Sequence, residues 1–167
     1  DRLTLHKTEI DLKELITTTA NQFKIAATAR GIELVQQLPE KNQLILVDVN
    51  LLQRAIENLL SNALKFSFAQ SKIVIQLSYD PVSATNRENR DRVQIRVLDE
   101  GIGIKPELRQ QVFEAYNTGT YARNVNQIGL GLHFCRMVIK AHQGKILIED
   151  NKPQGTIMAI DLPLSAD

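Results

Sequence analysis

Apolar positions recur at helical spacing in some stretches of this chain and alternate with polar ones in others, and caps and turns mark the changes between the two patterns. Leu3 to Ile10 alternates as a short strand does. Leu12, Leu15, Ile16, Ala20, Phe23 and Ala27 then fall on one face of a helix. Asp11 is placed to cap that helix, with Glu14 completing a capping box, and Gly31 ends it near Arg30. Ile32–Leu38 and Leu44–Val47 read as strands separated by the turn Pro39–Asn42. A second helix spans Asn50–Phe66, with a wide apolar arc (Leu51, Leu52, Ala55, Ile56, Leu59, Leu60, Ala63, Leu64) that calls for burial against a sheet. Lys72–Tyr79 and Arg92–Leu98 form a hairpin pattern joined by the polar, mobile-looking loop Asp80–Asp91. Pro106 suits the first turn of a short third helix ending near Tyr116. Periodicity lapses over Asn117–Gln127, and a further helix runs from Leu130 to His142 with Gly144 as its stop. Strands at Lys145–Glu149 and Thr156–Leu162 close the chain around the turn Asn151–Gly155. Helices and mostly hairpin-connected strands in this order predict an α+β fold, a two-layer sandwich with helices on one sheet face.

Composition narrows the function classes. The 167 residues suffice for one domain with a real core. A net charge of +1, without long runs of either sign, offers no footprint for nucleic acid or an anionic membrane. No apolar stretch approaches the ~20 residues of a spanning helix. The lone Cys135 excludes an internal disulfide, fits a reducing compartment, and sits among Phe134, Met137 and Val138 as a packed core thiol. The start at Asp1, without Met, suggests a piece of a longer protein.

Candidate chemistry lies in three short segments. At about 100° per residue, Asn58, Asn62 and Lys65 fall within roughly 60° of one another beside the apolar arc of the second helix. Amides and an ammonium there need partners, which either a neighbouring loop or a metal-bound triphosphate can supply. Asp99 ends a strand and precedes Gly101 and Gly103. A carboxylate in that position can accept from an exocyclic amine such as adenine's, and glycines allow positive φ and close approach to a flat ring. The same residues are also an ordinary turn signal. Gly129 and Gly131 open a helix whose first N–H groups can face an anion, or simply make a tight packing turn. The preceding aperiodic loop is a candidate lid, with Arg123 either reaching a terminal phosphate or lying on the surface. His6, His133 and His142 are dispersed, and neither a hydrolase triad nor a Cys/His metal spacing occurs.

Taken in order, Asn58-x-x-x-Asn62-Ala63-x-Lys65-Phe66, Asp99-x-Gly101-x-Gly103-Ile104, Phe113-Glu114, Gly129-Leu130-Gly131-Leu132 and Gly155-Thr156 resemble the catalytic ATP-binding domain of sensor histidine kinases, within the gyrase/Hsp90/histidine kinase/MutL superfamily. The resemblance runs from Asp11 to Pro163. It implies a Bergerat sandwich, a mixed sheet of about five strands with three principal helices on one face and a flexible ATP lid. It also implies ATP and Mg²⁺ as ligands, with Asn62 on the metal and Asn58 and Lys65 at the phosphates. Asp99 would hold the adenine amino group. Phe66, Gly101, Gly103, Ile104, Leu130, Leu132 and Thr156 would complete the nucleotide site, while Gly129 and Gly131 anchor the lid hinge. Residues 1–10 would be the end of a linker and first strand, and 11–167 the single ATP-binding domain. Glu114-Ala115-Tyr116 stands where Glu-Pro-Phe is common, and residue 153 is Pro where Gly-x-Gly-Thr has its first glycine. No phosphoacceptor motif surrounds His6.

Position 58 separates classes within the superfamily. Its ATPases carry a glutamate there to polarise water, whereas an amide is a poor base. The resemblance therefore implies phosphoryl transfer to a histidine on a separate dimerisation hairpin, with a response-regulator receiver domain downstream. The domain itself would be monomeric and cytoplasmic, touching neither nucleic acid nor membrane, with any membrane anchor elsewhere in the parent protein. A gyrase- or MutL-like hydrolase and a non-catalytic nucleotide- or partner-binding module are the alternatives.

Overall fold

Helix α1 (Leu12–Ala29) begins where Asp11 accepts a hydrogen bond from the Lys13 N–H at 3.0 Å. Among the described residues no bond returns from Glu14, so Asp11 caps alone rather than in a box. At the other end Ile32 N–H bonds to Ala27 C=O and Gly31 N–H to Thr28 C=O, with Gly31 at φ 68. That is a Schellman closure, and the buried Ile32 supplies its apolar contact. Helix α2 (Val49–Phe66) is capped by Asp48, whose carboxylate accepts from Leu51 N–H. The last helix, α3 (Gly129–Ala141), ends differently from the expectation that Gly144 would stop it. The left-handed residue is Gln143 (φ 61), and Gly144 follows it, donating to Ile139 C=O. The computed structural model describes residues 3–80, 92–114 and 129–164. The loop of 81–91, Tyr116, and the lid segment Asn117–Gln127 with Arg123 lie outside the described residues.

The strands form two sheets. β1 (Thr8–Asp11) and β3 (Leu44–Val47) pair antiparallel as a ribbon of their own. β1 is thus shorter than the alternation from Leu3 suggested, since β3 offers only four partners. The main sheet has the order β2-β4-β5-β7-β6, from β2 (Glu33–Gln37), β4 (Lys72–Asp80), β5 (Arg92–Asp99), β6 (Lys145–Asp150) and β7 (Thr156–Pro163). It is mixed: β2 runs parallel to β4, and every other pair is antiparallel. The sequence expectation of a five-stranded mixed sheet with three helices on one face matches this architecture.

Register explains what the helices cover. Ile73, Ile75 and Leu77 of β4, Val93, Ile95 and Val97 of β5, and Met158, Ile160 and Leu162 of β7 are buried on the helix side. Burying a side chain of this size contributes about 1.5–3 kcal/mol. Arg92 and Arg96 point away, Arg92 pairing with Asp161 and Arg96 with both Gln76 and Glu149 on the open face. Continuing the same alternation by two residues turns Asp99 inward, a carboxylate at the end of an apolar column. Position 99 is therefore buried by the pleat rather than by any local motif.

The short helix expected from Pro106 to Tyr116 is corrected. The described part consists of two separate 3-10 turns, Pro106–Leu108 and Gln111–Phe113. Each is too short to nucleate an α-helix. Consecutive Val112 and Phe113 are both buried, which an exposed amphipathic turn would not allow.

Candidate functional site

Helix α2 carries a polar stripe along one side of an otherwise apolar surface. Asn58, Asn62 and Phe66 are four residues apart, so they follow one another at about 6 Å intervals along the axis. Asn58 Nδ2 donates to Gly131 C=O at 3.3 Å, joining the stripe to the first turn of α3. Beneath it the Cys135 thiol donates to Ala55 C=O, and burial pushes that thiol up to about 12. Asn62 is 7 % exposed and its Nδ2 has no hydrogen-bond partner among the described residues. An unpaired buried amide costs about 1–3 kcal/mol. Lys65 is exposed at the end of the helix.

The far end of the stripe meets the acidic turn. Arg30, just past α1, donates to the carbonyls of Leu64 and Ser67 and holds the last turn of α2 in place. Phe66 C=O then lies so close to Gly101 that a Cβ there would come within 2.3 Å of it. Positive φ was the expected reason for both glycines of this turn. It applies at Gly103 (φ 76), but Gly101 is required by this contact with backbone. Asp99 is 5 % exposed, and its Oδ1 accepts from Gly101 N–H at 2.9 Å and Thr156 N–H at 3.2 Å. Burial raises its pKa, and these two N–H groups oppose the rise.

Two residues that sequence reasoning missed brace the same turn. Asn151 Nδ2 donates to Asp99 C=O at 2.7 Å, and Gln154 Nε2 donates to Gly101 C=O at 3.0 Å. Their only sequence signal was membership of the 151–155 turn, which says nothing of what a turn touches. Gly155 (φ 114) packs against Asp99 C=O, where a Cβ would sit at 1.9 Å. Gly155→Ala is therefore expected to destabilise the domain by about 2–3 kcal/mol from strain and overpacking combined, read as a lower urea midpoint. An unchanged midpoint would show that the turn can move aside. Gly103, Ile104 and Gly155 also line a cleft of about 330 Å³ between the 102–106 and 150–155 segments.

At the second glycine turn, Gly129 and Leu130 form the first turn of α3. Gly131 faces Asn58, and the Leu132 side chain is wholly buried, so any ligand contact by Leu132 is through its backbone. His133 Nδ1 lies 3.2 Å from Phe113 C=O, and the Arg136 guanidinium sits 5.5 Å from the Phe113 ring centroid. The turn ending at Glu114 is thereby fastened to α3. The structure thus joins Asn58 to Gly131, Phe66 to Gly101, and Asp99 to Thr156, with Asn62 between the two ends. Arg123 lies outside the described residues.

Comparison with known proteins follows the same outline. The profile described as "Histidine kinase-, DNA gyrase B-, and HSP90-like ATPase" matches residues 47–166. The chain is 27% identical over 163 residues to the adaptive-response sensory kinase SasA of Crocosphaera subtropica, covering 98% of this chain and 41% of that protein. It is 32% identical over 158 residues to the sensor-like histidine kinase SenX3 of Mycobacterium tuberculosis, covering 93% of this chain and 36% of that one. The chain thus spans well under half the length of these relatives. Among solved structures, the catalytic domain of histidine kinase ThkA superposes with a TM-score of 0.79 at 23% identity, over 98% of this chain and all of that one. Full-length ShkA in complex with AMPPNP gives 0.81 at 23%, over 99% of this chain and 33% of that one. The mycobacterial sensor histidine kinase MprB gives 0.77 at 25%, over 95% of this chain and 97% of that one. Because the profile covers most of the chain, from the last residue of β3 to beyond the end of β7, the chain belongs to the histidine kinase-, DNA gyrase B- and HSP90-like ATPase family, as an ATP-binding domain of the histidine kinase type.

Proposed function

We propose that this domain binds ATP with Mg²⁺ and presents the γ-phosphoryl group to a histidine on a separate helical hairpin of the parent protein, from which it passes to a receiver domain. The observation that carries the reading is the buried Nδ2 of Asn62, a donor with no partner among the described residues that a phosphate oxygen would satisfy, on the α2 stripe between Asn58 and Phe66. A buried polar group without a partner in the free domain is accounted for if a ligand supplies one. Similarity to ShkA, whose structure holds AMPPNP, supports the nucleotide assignment.

In this reading Asp99 accepts from the adenine amino group, with Oδ1 held by two N–H groups and Oδ2 free to face the base. Gly101, Gly103, Ile104, Phe66 and Thr156 shape the wall around it. Asn58 and Lys65 meet the phosphates, and backbone N–H groups of Gly129 to Leu132 supply the attraction of a helix start. We assign Arg123 to the terminal phosphate. Among the described residues no group of three or more His, Cys, Asp or Glu side chains could hold a metal ion. The donors available fit Mg²⁺ all the same, because that ion is satisfied by a single hard oxygen, here the Asn62 amide, with phosphate and water oxygens. When bound, Mg²⁺ would neutralise charge on the phosphates.

The protein groups position rather than activate. Asn58 occupies the place of a general base, yet an amide has no affinity for a proton near neutral pH, and its nitrogen is bonded to Gly131. Water is therefore a poor acceptor here, and an incoming imidazole a better one. No helix among the described residues is long and apolar enough to cross a membrane; we place the domain in the cytoplasm, where ATP is available.

The reading is tested by incubating the domain with γ-labelled ATP, Mg²⁺ and the parent's helical hairpin. We expect label on the hairpin histidine and only slow phosphate release without it. Steady release by the domain alone, abolished in Asn62→Ala, would instead make it a hydrolase. Calorimetry that detects no nucleotide binding would leave it a partner-binding module.

A further inference from the structure

Away from the nucleotide site, His142 is buried at 4 % exposure at the end of α3, and both of its ring nitrogens are engaged. Nε2 accepts from the Asp48 backbone N–H at 3.0 Å, and Nδ1 lies 2.8 Å from Val138 C=O. A backbone N–H can bond only to an unprotonated nitrogen, so the ring is neutral with its proton on Nδ1. The Asp48 carboxylate in turn accepts from His6 N–H at 2.9 Å and Leu51 N–H at 3.1 Å. One imidazole and one carboxylate thus fasten together the end of α3, the start of α2 and the segment that precedes β1. Those helices carry Gly131 at one end and the Asn58–Asn62 stripe along the other.

We propose that His142 is a proton-sensitive clasp: a proton taken from solvent onto Nε2 removes the acceptor of the Asp48 N–H, sets two donors against each other, and releases Asp48 and the segment around His6 from the start of α2. The charged groups facing the ring are Asp48, which favours its protonation, and Lys7, which opposes it; His6 stands beside Asp48. Burial, the largest influence, lowers the pKa of His142 below its ordinary value. The unfolded chain therefore takes up this proton first. The clasp's stabilisation is complete above about pH 6.5 and declines as pH falls below that value. Asp48 is held below its ordinary value, mainly by the His6 N–H bond, so its own contribution fades only under more acidic conditions. The two steps are separable.

Amide exchange at Asp48 and His6, measured by NMR on the nucleotide-free chain, tests the clasp independently of ATP binding. Protection, corrected for intrinsic exchange, should fall roughly tenfold between pH 7.5 and 5.5 in the wild type, a change set by the linked protonation. In His142→Gln, whose amide oxygen can accept from Asp48 without titrating, it should stay level. Equal protection at both pH values in the wild type, or the same fall in the glutamine variant, would overturn the clasp. Should that variant fail to fold, ring ¹⁵N shifts of the wild type decide. The Nδ1–H form is expected at high pH, converting to the cation only below the ordinary histidine value; a charged ring at pH 8, or a ring midpoint above about pH 6.5, would refute it.

Discussion

Replacing Asn62 with alanine is expected to weaken Mg-ATP binding roughly 1,000-fold or more, about 4 kcal/mol, because it removes the side chain assigned to the metal rather than one supporting it. The same change should leave the unliganded domain at least as stable as the wild type. In most buried positions Asn→Ala sacrifices a hydrogen bond. Here Nδ2 has none to lose among the described residues, and deleting a buried unpaired group relieves about 1–3 kcal/mol against a smaller loss of packing. Binding and stability should therefore move in opposite directions, a combination that a purely structural asparagine cannot produce. Isothermal calorimetry and urea unfolding on the same preparation read both quantities. A lower urea midpoint with unaltered nucleotide binding would show that Asn62 serves the fold alone.

The second large effect is expected at Asp99, where two substitutions separate architecture from recognition. Asp99→Ala leaves the N–H groups of Gly101 and Thr156 without their acceptor, at a cost of about 2–4 kcal/mol in stability. Asp99→Asn keeps an oxygen for both N–H groups but turns an NH₂ toward the base. Donor then meets donor, and adenine nucleotide binding should fall roughly 100- to 1,000-fold with the fold retained. The sign of the pH dependence follows from burial. The folded-state pKa of Asp99 is raised, so the stabilisation associated with its protonated form is complete below the unfolded value of 3.8 and is lost as pH rises through the folded value. At neutral pH the asparagine variant, which carries no buried charge, should match or exceed the wild type in unliganded stability, with the difference shrinking in acid. Thermal unfolding between pH 4 and 8 measures this; a stability deficit of Asp99→Asn at pH 7 would contradict it.

How much of the site could be read beforehand differs from residue to residue. Asn58 and Asn62 were legible because helical spacing places them on one border of an apolar arc. Asp99 was legible as a carboxylate ending a strand ahead of Gly101 and Gly103, but its inward place in line with Val93, Ile95 and Val97 came from the register. That Gly101 exists to admit the Phe66 carbonyl was not legible, since the two residues are 35 positions apart (101 − 66) and no pattern links them. His142 read as an ordinary helix end, because its partner Asp48 lies 94 residues away. Arg30, Asn151 and Gln154 escaped notice for the same reason: each acts on backbone atoms, and backbone atoms leave no trace in the identity of the residue that carries them.

Sequence by itself determined the local order of elements: where the helices run, which face each buries, where strands alternate, and which motifs lie in which order. These follow from side-chain periodicity and capping chemistry, which act over a few residues. Only the tertiary structure decided that β1 and β3 leave the main sheet as a ribbon, that β2 pairs parallel to β4, and that the 106–114 segment settles as two 3-10 turns. Strand pairing is a contest among backbone edges that are chemically alike, and its outcome rests on which long-range arrangement buries the apolar faces together. The candidate site is assembled by that outcome, since it is the pairing of β5 with β7 that brings Thr156 to Asp99 and the packing of α3 on α2 that brings Gly131 to Asn58.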